Sequence, residues 1–338
     1  MLLPVVAVSN IDCVEETVCG YRFHGGSGNG NIHGAASNDA ICGAVNLIMQ
    51  YHVIDVFTEK PFGGNPAGVC LLDKWLPDGI LQSIAAENNL SETAFLVKQD
   101  GYYDLRWFSP LIEVDLCGHA TLASAFVLFE EAEKAVSTIK FKTMSGMMAV
   151  EKENDLLYLD FPARPVVVCP MYQIFEKAFG VEPIATYKAV DFLILLDNEE
   201  TLQSITPNFA VLRQIKTEAK INNDSFGVIV TAEGNDCDFV SRFFAPNAGI
   251  DEDPVTGRAH CSLIPFWSEK LGKSKLIARQ LSKRGGVLFC ESRGERVRIG
   301  GNAVRYLRGE IGMCGFNVLV DFCEGRHVED GNCLIGAG

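Results

Sequence analysis

The sequence predicts an α+β fold made of two similar halves, each with strands wrapped around one buried helix. Apolar runs alternate with turn signals throughout residues 51–311. The segment Leu122 to Phe129 is apolar on all sides, and Ala259 to Leu271 is mostly apolar. A helix without a polar face has to be enclosed by other elements, so each of these segments is expected at the centre of its own half.

An internal repeat supports the division into halves. Arg106-Trp107-Phe108-Ser109-Pro110 and Arg242-Phe243-Phe244-Ala245-Pro246 share the form Arg-aromatic-Phe-small-Pro. Each copy is followed at the same offset by an aspartate, Asp115 or Asp251, and then by a glycine at the start of a helix. The separation of the copies is far longer than a solenoid repeat, so it indicates two duplicated halves.

The elements follow in order from period and turn chemistry. For the first half, the patterns predict strands at 51–57, 67–72, 93–97, 102–108, 139–143, 147–151 and 156–161. They predict a helix at 76–89 and the apolar helix between the strands at 102–108 and 139–143. For the second half, they predict strands at 226–231 and 239–244, the helix at 259–271, and strands at 286–291, 296–300 and 304–307.

These patterns also set the expected boundaries. Residues 1–50 contain a Gly- and Asn-rich stretch and are expected to form a disordered N-terminal extension. Residues 51–161 are the N-terminal half and residues 162–311 the C-terminal half. Residues 312–338 show no sustained period, so the sequence assigns them no structure.

Composition excludes several classes of protein. The formal net charge of −14 argues against nucleic acid and anionic membranes as partners. No apolar run reaches the roughly 18 residues of a membrane span, and no basic residue precedes Arg22, so a secretory signal is not expected. The twelve cysteines include no Cys-x-x-Cys pair and the six histidines no metal-ligand spacing. Reduced thiols and a cytoplasmic location are therefore expected.

The titratable residues at or near the starts of the two apolar helices are Glu92, His119 and Asp253. If both helix N-termini face one cleft, their unpaired N–H groups form a site for a carboxylate, with close approach permitted at Gly118 and Gly257. Glu92 precedes an apolar strand, and its partial burial would raise its pKa. His119 is a candidate donor or proton relay. Each residue also has a structural explanation: Glu92 as a solvated residue at a helix–strand junction, His119 as a structural histidine near a helix start, and Asp253, which precedes a proline, as a helix cap.

Cys117 is a further candidate at the start of the first apolar helix. A thiol at a helix N-terminus acquires a lowered pKa and then acts as a nucleophile or base. A free cysteine is more often a small buried apolar residue, which is the favoured interpretation.

Five motifs, in this order and spacing, resemble the PhzF family of phenazine biosynthesis proteins. The resemblance covers roughly residues 51–311. The motifs are Asp55-Val56-Phe57-Thr58, Phe62-Gly63-Gly64-Asn65-Pro66-Ala67-Gly68-Val69, Asn89-Leu90-Ser91-Glu92-Thr93, Cys117-Gly118-His119-Ala120-Thr121 and Asp251-Glu252-Asp253-Pro254-Val255-Thr256-Gly257.

The resemblance implies a diaminopimelate epimerase-like fold, with two pseudo-symmetric halves that each wrap a barrel-like sheet around a central helix. It implies an isomerase that moves a proton without metal or organic cofactor. By motif position, Glu92 would be the proton shuttle, His119 and Asp253 would hold or polarise the substrate, and the backbone at Gly118 and Gly257 would contact its carboxylate. It also implies a possible homodimer.

Two departures from the family pattern bear on the site. Arg258 stands where many relatives have Ser or Ala, and a cation there would either recruit an acidic substrate or obstruct the pocket. The epimerase cousins use two cysteines as acid and base. Here Cys117 matches one of these positions and Asp253 replaces the other, so a two-thiol mechanism is not available.

The sequence thus favours a cofactor-independent isomerase acting on a small carboxylate-bearing compound by general acid–base catalysis. Two alternatives remain: an amino-acid epimerase or racemase with a mixed acid–base pair, and a non-catalytic binding protein on an isomerase scaffold.

Overall fold

Strands dominate the architecture of the computed structural model, which describes residues 44–219 and 227–317. The strands are β1 (Ala44–Val56), β2 (Asn65–Leu72), β3 (Glu92–Lys98), β4 (Tyr103–Phe108), β5 (Glu113–Val114), β6 (Thr138–Thr143), β7 (Gly146–Glu153), β8 (Leu156–Pro162), β9 (Val167–Val168), β10 (Ala185–Lys188), β11 (Phe192–Leu195), β12 (Val228–Glu233), β13 (Phe239–Phe244), β14 (Lys275–Gln280), β15 (Gly286–Arg293), β16 (Arg296–Gly301) and β17 (Ala303–Asn317). The helices are α1 (Asp78–Asn88), α2 (Gly118–Glu131), α3 (Gln173–Phe179), α4 (Glu199–Ser204), α5 (Phe209–Leu212), α6 (Ile215–Glu218) and α7 (Gly257–Leu271).

The two halves repeat one strand order. In the first half, β2 pairs β3 in parallel, β3 pairs β4 antiparallel, β4 pairs β6 in parallel, and β6, β7 and β8 follow antiparallel. In the second half, β11 to β16 repeat this order and these directions, and an isolated antiparallel bridge between Ala245 and Ile250 stands in the place of β5. This match confirms the α+β fold of two pseudo-symmetric halves that the sequence predicts.

The halves are joined by shared strands. β8 pairs β16 antiparallel across the middle of the molecule. β9, at the start of the C-terminal half, pairs β10 of the same half, and β17 pairs β1 of the N-terminal half. The pairings of β8 with β16 and of β17 with β1 therefore join the two halves into one continuous set of strands.

A buried helix lies inside each half. α2 packs against β1, β2, β3, β7 and β8, and α7 packs against β14, β15 and β16. α2 is buried over most of its length because small residues alternate with large apolar ones around its whole circumference. α7 is buried chiefly along Ala259–Ile264 and at Trp267, so its C-terminal part has a polar face.

The repeated Arg-aromatic-Phe motif has the same role in both halves. Arg106 on β4 makes two hydrogen bonds to the carboxylate of Glu113, at 2.7 Å each. Arg242 on β13 makes the matching pair to Glu252, at 2.7 and 2.9 Å. Both guanidinium groups also lie over the phenylalanine two positions further on, Phe108 and Phe244. Bidentate pairing of this kind fixes each strand to the segment that follows it at one geometry.

The structure places two expected boundaries inside strands. β1 begins at Ala44 and its Met49 is buried, so the boundary expected at residue 51 falls within a strand. The polar residues Asn46 and Gln50 interrupt the apolar pattern of the sequence before residue 51. The boundary at residue 311 likewise falls within β17. The remainder of the two expected tails, 1–43 and 318–338, lies outside the described residues. No helix in the described part of the chain is long and apolar enough to cross a membrane.

Candidate active site

The N-termini of the two central helices are built alike. Cys117 is the N-cap residue of α2, and the Thr121 hydroxyl donates to its carbonyl at 2.6 Å. Thr256 is the N-cap residue of α7, and Nδ1 of His260 lies 2.8 Å from its carbonyl. Neither N-cap side chain accepts a hydrogen bond from its helix. The first-turn N–H groups therefore lack the side-chain cap that would otherwise satisfy them.

Asp253 does not cap a helix, although Asp253-Pro254 is typical of one. α7 begins four residues later, and the Asp253 carboxylate instead accepts hydrogen bonds from Asn65 Nδ2, at 2.9 Å, and from the Thr256 hydroxyl. Asn65 belongs to the first half and also donates to the Val255 carbonyl at 2.9 Å. These bonds hold the segment before α7 against the first half, which brings Asp253 towards Glu92.

A tight turn presents Asn65. Gly64 has φ +61°, and a Cβ on it would lie 2.0 Å from the Val56 carbonyl oxygen, so the turn requires glycine here. Arg284 secures the turn by donating to the Gly64 carbonyl at 2.9 Å and to the buried Asp55 carboxylate at 2.7 Å. The Gly-Gly-Asn-Pro motif is therefore part of the site as well as a hairpin turn.

The glycines that open the two helices differ in their surroundings. A Cβ at Gly118 would lie 3.3 Å from the Phe161 ring, whereas a Cβ at Gly257 would meet nothing within 4 Å. Glycine at the first position thus permits packing against Phe161, and at the second it borders open space beside α7.

Glu92 is the first residue of β3, and its side chain is 15% exposed. Its Oε2 lies 3.3 Å from His119 Nε2. Burial raises the pKa of Glu92 to about 7, the charge of Asp253 adds to the rise, and a hydrogen bond with the Cys117 thiol opposes it. Near neutral pH the carboxyl group is therefore populated in both its protonated and ionised forms.

The neighbours of Glu92 are held in single protonation states at neutral pH. Burial lowers the pKa of His119 to about 4, against the opposing influence of the Pro66 carbonyl, so its imidazole is neutral. Burial, together with the charge of Glu92, raises the pKa of the Cys117 thiol well above its usual value, so this thiol is protonated. This supports the view of Cys117 as a small buried residue and removes the basis for a thiolate base.

The Asp253 carboxyl group is also perturbed. Burial raises its pKa to about 6, although the hydrogen bonds from Thr256 and Asn65 favour the ionised form. Gln280 completes the surrounding network by donating to the Asp253 carbonyl at 2.8 Å and accepting from the Thr256 N–H at 2.9 Å.

Arg258 is paired with a buried acid. Its Nη2 donates to Asp191 Oδ1 at 2.8 Å, and the Asp191 side chain is 3% exposed. The same oxygen accepts the Gly227 N–H at 2.7 Å. The Arg258 side chain is 35% exposed, and its charge acts on Asp253. A substrate contact for Arg258 stays a prediction.

The strand register relates Arg258 and its surroundings to those of His119 in the other half. Thr93 is paired with Phe108, and Val228 is paired with the repeated residue Phe244, so Glu92 corresponds to Gly227. His119 and Arg258 each follow the glycine that opens their helix. The second half therefore has Arg258 where the first has His119, and its partner carboxylate comes from Asp191 on the neighbouring segment and not from the position of Glu92.

The predicted site residues thus form two groups. The group in the first half consists of Glu92, His119 and Gly118. The group around the N-terminus of α7 consists of Asp253, Gly257 and Arg258. Sequence reasoning missed Asn65, Asp191 and Gln280 as parts of this network. Asn65 lies within one of the five family motifs but has no role assigned to it there, whereas a single Asp or Gln in an apolar strand context carries no local signal.

Comparisons with known proteins identify the relatives of this chain. The model of the PhzC-PhzF family, described as phenazine biosynthesis-like protein, matches residues 54–309. An uncharacterized isomerase of Pseudomonas aeruginosa is 48% identical over 258 residues, which cover 76% of this chain and 96% of the relative. A crystal structure of a PhzF-family protein from Enterococcus faecalis has a TM-score of 0.74 at 47% identity and covers 78% of this chain and 99% of the other. A hydroxyproline epimerase from Agrobacterium vitis shares the fold alone, with a TM-score of 0.52 at 11% identity and coverage of 80% and 93%.

Proposed function

The chain belongs to the PhzC-PhzF family of phenazine biosynthesis-like proteins and is an isomerase-type enzyme, and we propose that it moves a proton within a small carboxylate-bearing substrate by using Glu92. The proposal includes no metal or organic cofactor in this step. The observation that carries it is the position of Glu92, a buried carboxyl group with a pKa of about 7, between neutral His119 and the segment that holds Asp253.

The substrate carboxylate binds at the helix N-termini. The first-turn N–H groups of α2 and α7 and the positive ends of their dipoles favour an anion there. Gly118 and Gly257 provide the backbone contacts, and the open space beside Gly257 leaves room for the substrate. Arg258, fixed by Asp191, adds a positive charge on the α7 side.

Glu92 removes a proton from one carbon and returns it to another. A group with a pKa near the working pH is effective in both directions because neither its acid nor its base form is scarce. Neutral His119 and Asp253 hold and polarise the substrate, while the protonated Cys117 thiol takes no part as a base.

A deuterium-exchange screen tests this function. Purified protein is incubated in D₂O with a panel of cyclic and amino carboxylic acids, and mass spectrometry identifies those that gain deuterium. Glu92→Gln keeps the shape of the side chain but cannot titrate, so exchange should fall by about a hundred- to ten-thousandfold while ligand affinity stays within a few-fold.

The matched control is Glu87→Gln, at an exposed position on α1, which should exchange at the parent rate. If the Glu92→Gln protein also exchanges at the parent rate, Glu92 is not the shuttle, and Asp253 becomes the residue to test. Exchange that is lost in Cys117→Ala but kept in Glu92→Gln would instead support the epimerase alternative.

A further inference from the structure

Three metal-ligating side chains form a tight cluster at the start of α2. Atoms of Glu92, Cys117 and His119, one from each side chain, all lie within 4.8 Å of one another. Cys117 and His119 are buried, and Glu92 is partly buried. Thiolate, imidazole and carboxylate are the three ligand types that proteins use for Zn²⁺.

The distances within the cluster are close to those of a zinc site. Zn–N and Zn–S bonds of about 2.05 and 2.3 Å at a tetrahedral angle place nitrogen and sulfur about 3.5 Å apart. The Cys117 Sγ to His119 Nδ1 distance is 3.5 Å. Zn–O and Zn–N bonds of about 2.0 Å similarly require about 3.3 Å, which is the distance from Glu92 Oε2 to His119 Nε2.

The imidazole presents a different nitrogen to each partner, so one metal ion requires a side-chain adjustment. A metal on Nε2 would keep the Glu92 contact and draw the Cys117 sulfur towards it by rotation about χ1. One ligand atom from each of the three side chains already lies within 4.8 Å of the others, so the movement is small.

Two atoms of the cluster lack partners. Among the residues that the structure describes, neither Glu92 Oε2 nor His119 Nε2 makes a hydrogen bond, although both atoms are buried. The His119 side chain is only 9% exposed. A buried polar atom without a partner is costly, so the cluster favours a ligand that satisfies both side chains.

We propose that Glu92, Cys117 and His119 form a binding site for a divalent cation of the zinc class. The cation displaces the thiol proton of Cys117 and any proton on Glu92 into solvent, and its fourth position is taken by water. The positive end of the α2 dipole opposes binding, but two anionic ligands and the nearby Asp253 charge outweigh it. The cation is an inhibitor, and this part rests on the proposed function: a carboxylate that is bound to metal cannot carry a proton.

Cobalt(II), which takes the same ligands and absorbs light, is the probe. The metal-free full chain is titrated with Co²⁺ alone, and the sulfur-to-cobalt charge-transfer band in the near ultraviolet is recorded. Because other cysteines of the chain can contribute background binding, the decisive quantity is the difference between variants. Cys117→Ala should lose one equivalent of thiolate-bound Co²⁺, whereas Cys70→Ala, at another fully buried thiol on β2, should lose none.

A second ligand variant keeps the test independent of folding. His119→Ala should also lose one equivalent of thiolate-bound Co²⁺, measured by the same charge-transfer band. Circular dichroism should confirm that the variants remain folded. The proposal is overturned if Cys117→Ala and Cys70→Ala bind equal amounts of Co²⁺, or if the band in His119→Ala is unchanged.

The metal site and the proposed function can be refuted independently of each other. Co²⁺ binding is measured without substrate, so its absence says nothing about proton exchange. If the Co²⁺ band is present but Zn²⁺ leaves deuterium exchange unchanged, the site exists and the shuttle assignment of Glu92 is wrong.

Discussion

The raised pKa of Glu92 predicts a pH-dependent effect of Glu92→Gln on stability. For a carboxyl group whose native pKa exceeds its unfolded value, the native state binds more protons between the two values, so stability falls as pH rises through that window. The relevant window for Glu92 runs from 4.5 to about 7. Below it the carboxyl group is protonated in both states and costs nothing. Above it the native state has to bury a charge.

The magnitude follows from the size of the shift. A rise from 4.5 to about 7 corresponds to about 3 kcal/mol of native-state destabilisation above pH 7, taken at about 1.4 kcal/mol per pKa unit. Glutamine has no charge to bury. The free energy of unfolding of Glu92→Gln should therefore match that of the parent near pH 4.5 and exceed it by roughly 3 kcal/mol near pH 8.

Urea unfolding of both proteins across this pH range measures the difference. Other buried groups titrate here too. The lowered pKa values of His119 and His260, about 4 each, make stability rise with pH between about 4 and 6.5, whereas the raised pKa of Asp253, about 6, makes stability fall with pH between 3.8 and about 6. The His260 contribution is the same in both proteins and cancels in the difference. Asp253, whose charge acts on Glu92, and His119, 3.3 Å from it, contribute part of the measured difference. Glu87→Gln, at an exposed site, should stay within about 0.5 kcal/mol of the parent. A gap between Glu92→Gln and the parent that does not change with pH would refute the assignment of the raised pKa.

Two further predictions concern the N-termini of the helices. Arg258→Ser should weaken the binding of anionic ligands, measured by calorimetry, and the loss should shrink as salt is added; unchanged or tighter binding would show that Arg258 makes no substrate contact. Gly118→Ala should destabilise the fold by about 1 kcal/mol in urea unfolding because its Cβ meets the Phe161 ring at 3.3 Å, whereas Gly257→Ala should leave stability intact but reduce deuterium exchange by filling open space at the site. Equal effects of the two alanines on both measurements would contradict this distinction.

The sequence predicts the central features of the fold because they rest on local patterns. The apolar circumference of α2 and the repeated Arg-aromatic-Phe motif identify the buried helix and the duplication without any tertiary information. Most of residues 162–225 gave no pattern because their elements are short: β9 has two residues, and β10 and β11 have four each. Runs of that length fall below the window in which a period is measurable.

The residues of the candidate site also differ in whether a local sequence pattern identifies them. Glu92, His119 and Asp253 stand in motifs that the family resemblance assigns to chemistry, so their importance could be inferred from the sequence. Asp191 could not, because its significance depends on the alignment of β11 and β12, which places it beside Arg258. Gln280 likewise reaches the Asp253 segment only through the position of β14.

The comparison of the two halves bears directly on the type of mechanism. His119 and Arg258 hold matching positions at the starts of α2 and α7, but Glu92 matches Gly227, which has no side chain. The second half therefore has no carboxyl group at the position of Glu92. An epimerase that works with an acid on one face of the substrate and a base on the other would need Asp253 to exchange a proton in the second half. The hydrogen bonds that Asp253 accepts from Thr256 and Asn65 instead favour its ionised form. This arrangement supports Glu92 as a single proton carrier that serves two carbons on the same face, with the second half acting as the anchor for the carboxylate. If so, a substrate isomerised in D₂O by the parent protein should show partial retention of its original proton, because Glu92 returns the proton that it has just removed before solvent replaces it completely.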